Sequence, residues 1–118
     1  AEDNIVNQKV AAGMLQRLGF STDVAANGIE ALEKWDHGQY DVVFMDCHMP
    51  EMDGYAAAAE IRRREGGPRR ATIIALTADA RDGTRERCMN AGMDDYIVKP
   101  VKLEDLRQAL VKWAPAER

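Results

Sequence analysis

The 118-residue chain has no apolar run longer than five residues, Tyr55 to Ala59, whereas a membrane-spanning helix needs roughly 20. Its first residues, Ala1-Glu2-Asp3-Asn4, lack both the basic and the apolar region of a secretory signal. Cysteine is scarce. Cys47 and Cys88 are too few for a disulfide framework and read as two reduced, buried or half-buried thiols. Basic blocks are short as well, the longest being Arg62 to Arg64, and the net charge is −4. A dedicated nucleic-acid surface is therefore not expected. No internal repeat, low-complexity stretch or linker breaks the chain, and its length suits one domain with one core. The expectation is a single soluble, cytoplasmic domain over residues 1–118.

What is present is an alternation of two patterns. Thr22 to Ala25, Val42 to Met45, Thr72 to Leu76 and Tyr96 to Val98 read as strands. Val42-Val43-Phe44-Met45 and Ile73-Ile74-Ala75-Leu76 are continuously apolar, as parallel strands covered on both faces must be. Between them lie helical spacings. Val6, Val10, Met14 and Leu18 form one stripe, closed by Gly19; Ile29, Leu32 and Trp35 form another, stopped at Gly38. Tyr55 to Glu65 ends at Gly66-Gly67-Pro68, Thr84 to Ala91 at Gly92, and the stripe Leu103, Leu106, Leu110 and Trp113 ends before Pro115. Such alternation predicts a three-layer α/β fold with a parallel sheet, whose reactive groups gather at the carboxyl ends of the strands.

Polar residues stand at those ends. Asp46 follows the Val42 strand, Thr77 the Ile73 strand and Lys99 the Tyr96 strand, while Glu2 and Asp3 precede the first helix. The convergence predicts a cleft holding acids, a hydroxyl and an amine. Each residue also has a plainer use. Asp3 could merely cap the first helix, Lys99 could be solvated, and Asp53 reads as a turn or capping residue before Gly54. The Cys47-His48 pair lacks the ligand spacing of a zinc site. Arg62 to Arg64 and Arg69-Arg70 read as a solvated helix end and loop.

The motifs Glu2-Asp3-Asn4 with Val6-Asn7-Gln8, Asn27-Gly28-Ile29-Glu30-Ala31-Leu32, and Asp46-Cys47-His48-Met49-Pro50-Glu51-Met52-Asp53-Gly54 continue with Ala75-Leu76-Thr77-Ala78, Ala91-Gly92-Met93-Asp94-Asp95-Tyr96 and Lys99-Pro100. Over essentially its whole length the chain resembles the receiver domain of two-component response regulators, above all receivers attached to hybrid histidine kinases. The resemblance implies a flavodoxin-like (βα)5 sheet of order 2-1-3-4-5. It implies a phosphoacceptor in a His–Asp phosphorelay: Asp46 takes a phosphoryl group from a phosphohistidine, and Thr77 and Lys99 contact its oxygens. Mg²⁺ (or Mn²⁺) would be held by Asp3, Asp46 and the backbone carbonyl of His48, with Glu2 acting through water. Lys99-Pro100, trans on base rates, would be cis. Tyr96 would turn inward with Thr77 as a switch, altering the face around the last two strands. His48 and Asp79 would modulate how readily water attacks the phosphoryl group.

The implied partners are a histidine kinase or a histidine phosphotransfer domain docking on the first helix, with room for a weak homodimer. No direct nucleic-acid or membrane contact is implied. The isolated domain would be no conventional enzyme, catalysing only its own phosphorylation and dephosphorylation; the parent would be a hybrid kinase that a membrane anchor could hold. A binding-only receiver is the competing reading, yet Asp3, Asp46, Thr77 and Lys99 are all in place. A flavin carrier would need a Ser/Thr-rich phosphate loop where Glu2-Asp3-Asn4-Ile5 stands, and a hydrolase would need a nucleophile with a base. One defect remains: a strand is expected before Glu2, and only Ala1 is there. The pattern predicts a chain continuing upstream of Ala1, with these residues lacking most of a central strand.

Overall fold

The computed structural model describes residues 1–38, 40–49, 51–65, 71–78 and 83–113. Within them run α1 (Ile5–Arg17), α2 (Gly28–His37), β1 (Val42–Asp46), α3 (Gly54–Arg64), β2 (Thr72–Thr77), α4 (Thr84–Asn90), β3 (Asp95–Val98) and α5 (Leu103–Trp113). The sheet is parallel, in the order β1-β2-β3, with Val42 opposite Thr72 and Ile74 opposite Asp95.

Alternation along β1 and β2 divides the core. Met45, Ile73 and Ala75 point to one face, where Leu32 of α2, Ala57, Ala58 and Ile61 of α3 and Cys88 of α4 cover them. Val42 and Phe44 point to the other, against Leu15 of α1 and Leu106 and Leu110 of α5. The result is the three-layer αβα sandwich expected, with Cys47 and Cys88 both fully buried.

Capping sets the helix ends. Asn4, not Asp3, caps α1, its side chain accepting from the Asn7 N–H at 3.1 Å. Asn27 and Asp53 do the same for α2 and α3. At the end of α1, Gly19 takes φ +92° while its N–H donates to Gln16 and that of Phe20 to Leu15. This paired closure satisfies carbonyls the last turn leaves open, and glycine reaches that φ without steric cost.

Three expectations are corrected. Thr22 to Ala25 is not a strand of the sheet: only the Ala25 carbonyl gains a ladder-like bond, from the Glu2 N–H at 2.9 Å. Apolar β-branched content alone does not make a strand without a neighbour to pair with. The α1 stripe does not face the core along its length: Val6 and Val10 are 68% and 49% exposed, and the helix is anchored through Leu15 with Met14 and Leu18. Finally, Arg62 is not a solvated helix end. Its guanidinium donates to the carbonyls of Gly92 (2.8 Å) and Ala71 (2.7 Å), and pairs with Asp94 (2.8 Å) and Glu65 (2.9 Å). Asp94 in turn accepts from the Ile73 N–H at 2.8 Å. Arg63 and Arg64 do lie outward, paired with Glu60 and, for Arg64, Asp36.

Candidate functional site

The carboxyl ends of β1, β2 and β3 bring Asp46, Thr77 and Lys99 together with the Ala1–Asp3 segment. Ala1 lies alongside β1: its α-amino group donates to the Phe44 carbonyl (2.5 Å), and its carbonyl accepts from the Asp46 N–H (3.0 Å). This two-sided pairing carries Glu2 and Asp3 to the rim beside Asp46. Carboxylate oxygens of Glu2, Asp3 and Asp46 all lie within 4.8 Å of one another.

Lys99 joins two of the acids. Its Nζ is 2.6 Å from Asp46 Oδ2 and 3.2 Å from Glu2 Oε2. Its backbone N–H donates to the Thr77 carbonyl at 2.7 Å, and the following peptide, Lys99-Pro100, is cis as expected. The other Asp46 oxygen accepts from the His48 N–H at 3.1 Å. Thr77 is almost wholly buried, and Tyr96 is half-buried against the core.

Charge crowding is legible in the titration directions. Burial is the largest influence on Asp46 and, with the neighbouring Glu2, raises its carboxyl above the ordinary range despite Lys99 and the His48 N–H. Burial also pushes Glu2 upward, but hydrogen bonds from Asp46 and Asn7 and the charge of Lys99 outweigh it, leaving Glu2 lowered. Lys99 loses solvation too, yet the two carboxylates prevail and hold its ammonium above the ordinary lysine value. Closely spaced carboxylates of this kind favour a multivalent cation.

The sequence placed partner docking on the first helix, whose opening turn contains Asn7 and Gln8. In the structure they hold the acid: Asn7 Nδ2 donates to Glu2 Oε1 (2.9 Å) and Gln8 Nε2 to the Glu2 carbonyl (2.7 Å). Their placement in the first turn after the Asn4 cap was the available signal. Tyr55 was missed as well. Its ring meets His48 edge-on at 6.4 Å, and the Arg87 guanidinium lies 4.6 Å over it, linking the loop after Asp46 to α4. His48 is exposed at the mouth. Asp79 lies outside the described residues.

A parallel sheet covered by helices on both faces thus gathers three acids, a buried threonine and a lysine at its carboxyl rim, the arrangement of an α/β module with an acidic rim site. The chain belongs to the response regulator receiver domain family, whose pattern it matches over residues 1–111, and is a receiver domain of two-component phosphorelay signalling. It is 39% identical over 116 residues to hybrid signal transduction histidine kinase G of Dictyostelium discoideum, covering 97% of this chain but 3% of that protein. It spans 11% of hybrid kinase F of the same organism, at 39% identity. Among solved structures, the receiver domain of a Pseudomonas aeruginosa sensor histidine kinase, with magnesium coordinated in its active-site cleft, superposes with a TM-score of 0.86 at 48% identity. That match covers 96% of this chain and 92% of the other. The receiver domain of Saccharomyces cerevisiae Ssk1, solved with the histidine phosphotransfer protein Ypd1, gives a TM-score of 0.87 at 30% identity, covering 95% of this chain and 83% of that one. Among the described residues, no helix is long and apolar enough to cross a membrane.

Proposed function

We propose that Asp46 is the phosphoacceptor of this receiver. The observation that carries this reading is the Lys99 ammonium bridging Asp46 and Glu2, with Asp3 beside them. An Asp46 carboxylate oxygen attacks the phosphorus of a phosphohistidine, the phosphorus–nitrogen bond breaks, and the imidazole leaves with the electron pair. Lys99 moves from carboxylate to phosphoryl oxygen, and the Thr77 hydroxyl donates to another. Such transfer depends on positioning and charge neutralisation rather than on a general base. The all-oxygen donor set fits a hard divalent cation: Asp3, Asp46 and the His48 carbonyl would hold Mg²⁺ or Mn²⁺, Glu2 would act through water, and the ion supplies neutralising charge. The domain promotes only its own phosphorylation and dephosphorylation, with His48 and Asp79 governing access of water. It works on the cytoplasmic side, within or beside a hybrid kinase.

The partner face is the outer side of α1, where Ile5, Val6 and Val10 remain exposed next to the rim. An apolar patch beside an acidic cleft suits a helical phosphotransfer bundle, or the kinase core, that presents its phosphohistidine edge-on. Phosphoryl uptake from a small phosphodonor with Mg²⁺, read by intact mass, tests the reading; a protein that takes up nothing sinks it.

Two further results are expected. Drawing Thr77 toward the phosphoryl oxygens frees room for the Tyr96 ring to turn inward, a shift between two packings. NMR of the Tyr96 ring with and without a phosphoryl mimic checks this, and an unchanged ring would refute it. Magnesium affinity should also fall with pH sooner than ordinary carboxylates would dictate. Asp46 has a raised pKa, so it regains its proton early on acidification, and that proton competes with the cation. Calorimetric titration at about pH 5 and about pH 7.5 measures it; equal affinities would contradict the raised Asp46.

A further inference from the structure

Cys47 and Cys88 take no part in the chemistry described above. Each is fully buried, and either by itself would be ordinary core, a small apolar side chain with an inert thiol. Here the two meet. Cys47 follows Asp46 at the end of β1, and Cys88 is the buried residue of an α4 turn in which Glu86, Arg87, Met89 and Asn90 are exposed. Their thiols come within hydrogen-bonding reach of each other inside one core cluster. The contact has support beside it. The Tyr55 hydroxyl reaches the Cys47 thiol from α3, and the Arg87 guanidinium, one residue before Cys88, covers the Tyr55 ring at 4.6 Å.

We propose that Cys47 and Cys88 form a reversible disulfide, made by a hydroperoxide, that fastens α4 to the residue following Asp46. Sulfurs in contact are on the order of 1–2 Å short of the bond. In the first step the thiolate of Cys88 attacks a peroxide oxygen, the O–O bond breaks, and the hydroxide released takes up the thiol proton as water. The sulfur is left as a sulfenic acid. The Cys47 sulfur then attacks it, the S–O bond breaks, and a second water leaves with the Cys47 proton. Two thiols have lost two hydrogens and two electrons, and hydrogen peroxide has become two waters. The step needs neither a phosphoryl group nor a metal.

The closed form is inert. Burial above all, with the facing Cys47 thiol, pushes the Cys88 thiol up to about 11, and the thiolate is the reacting species. Opening of α4 lifts both influences and leaves Arg87 beside the freed thiol, where its charge favours the thiolate. This helix is held less firmly at its start than those before it. It has seven residues and begins at Gly83, φ +92°, with no side chain to cap it, whereas Asn4, Asn27 and Asp53 cap α1, α2 and α3. Short, uncapped elements open at lower free energy than the rest of a fold. In a thiol-rich compartment such a bond is transient and redox-sensing rather than structural.

The test treats the 118-residue protein, folded, with hydrogen peroxide and reads intact mass, peptide linkage and hydrogen exchange. The expected product is a monomer lighter by two hydrogens, its Cys47 and Cys88 peptides joined, restored to the parent mass by dithiothreitol. Because the bond closes a loop of about 40 residues, the urea midpoint should rise, and exchange at the α4 amides should slow by about tenfold or more. Cys88→Ala should give no lighter monomer. Oxygen added to either sulfur without a joined peptide, covalent dimers in place of the joined monomer, or both thiols still open to alkylation would each overturn the proposal. So would joined peptides formed only in denaturant, or a joined monomer whose α4 exchanges as fast as before.

Discussion

Asp46→Asn is expected to abolish phosphoryl uptake, leaving no adduct by intact mass under conditions that phosphorylate the parent protein with a small phosphodonor and Mg²⁺. The substitution keeps the shape of the side chain, and an amide oxygen still accepts from the His48 N–H, which is 3.1 Å from Asp46 Oδ1. What it removes is the carboxylate proposed to form the acyl phosphate. Loss of fold is not a competing explanation. The Asp46 carboxyl is raised chiefly by burial, so at neutral pH its charge weighs against the folded state. Asn lifts that penalty, and the urea midpoint should stay level or rise as uptake disappears. An adduct surviving in Asp46→Asn would move the acceptor elsewhere; a parent that takes up nothing would favour a receiver that only binds.

Among the described glycines, Gly54→Ala should be the most damaging substitution. On helix propensity alone alanine would favour α3, by up to about 1 kcal/mol in a helix interior. The packing reverses that sign. A Cβ at Gly54 would run into the backbone carbonyl of Asp46, with the Asp46 carbonyl carbon and the Cys47 Cα about 3 Å away. These are backbone atoms, so no side chain can swing aside. Gly54 also donates to the Cys47 carbonyl at 3.1 Å, tying the start of α3 to the end of β1. A destabilisation on the order of 3 kcal/mol is expected, measured by urea unfolding, together with reduced phosphoryl uptake as Asp46 is displaced. A variant as stable as the parent would mean that the β1–α3 junction is looser than these contacts allow.

The parallel strands were readable because continuous runs such as Val42-Val43-Phe44-Met45 have one physical explanation, burial on both faces. Thr22 to Ala25 misled because pairing is a property of two segments, and its neighbour is Ala1 with Glu2 alone. The site was legible as a set: Asp46, Thr77 and Lys99 each follow a strand, and parallel strands end on one rim. Its internal bonding was not. That Asn4 rather than Asp3 caps α1, leaving Asp3 beside Asp46, depends on backbone angles that composition does not specify. Arg62 is the clearest miss. Within an Arg-Arg-Arg run the three residues look alike, and only the helical angle separates the one facing Asp94 from the two facing water.

Arg62 has a mechanical consequence. It gathers the last turn of α3 and the entry points of β2 and β3 at the end of the sheet away from Asp46, Thr77 and Lys99. The two ends of the sheet are held differently: the arginine's partners include fixed backbone carbonyls, whereas those of Lys99 at the other end are carboxylates whose charge a phosphoryl group would change. The amino ends are thus the invariant end, and the carboxyl rim is where arrival of a phosphoryl group would rearrange the contacts. The surface best placed to report the event is the rim itself, with the flank of α4 to which Tyr55 and Arg87 tie it.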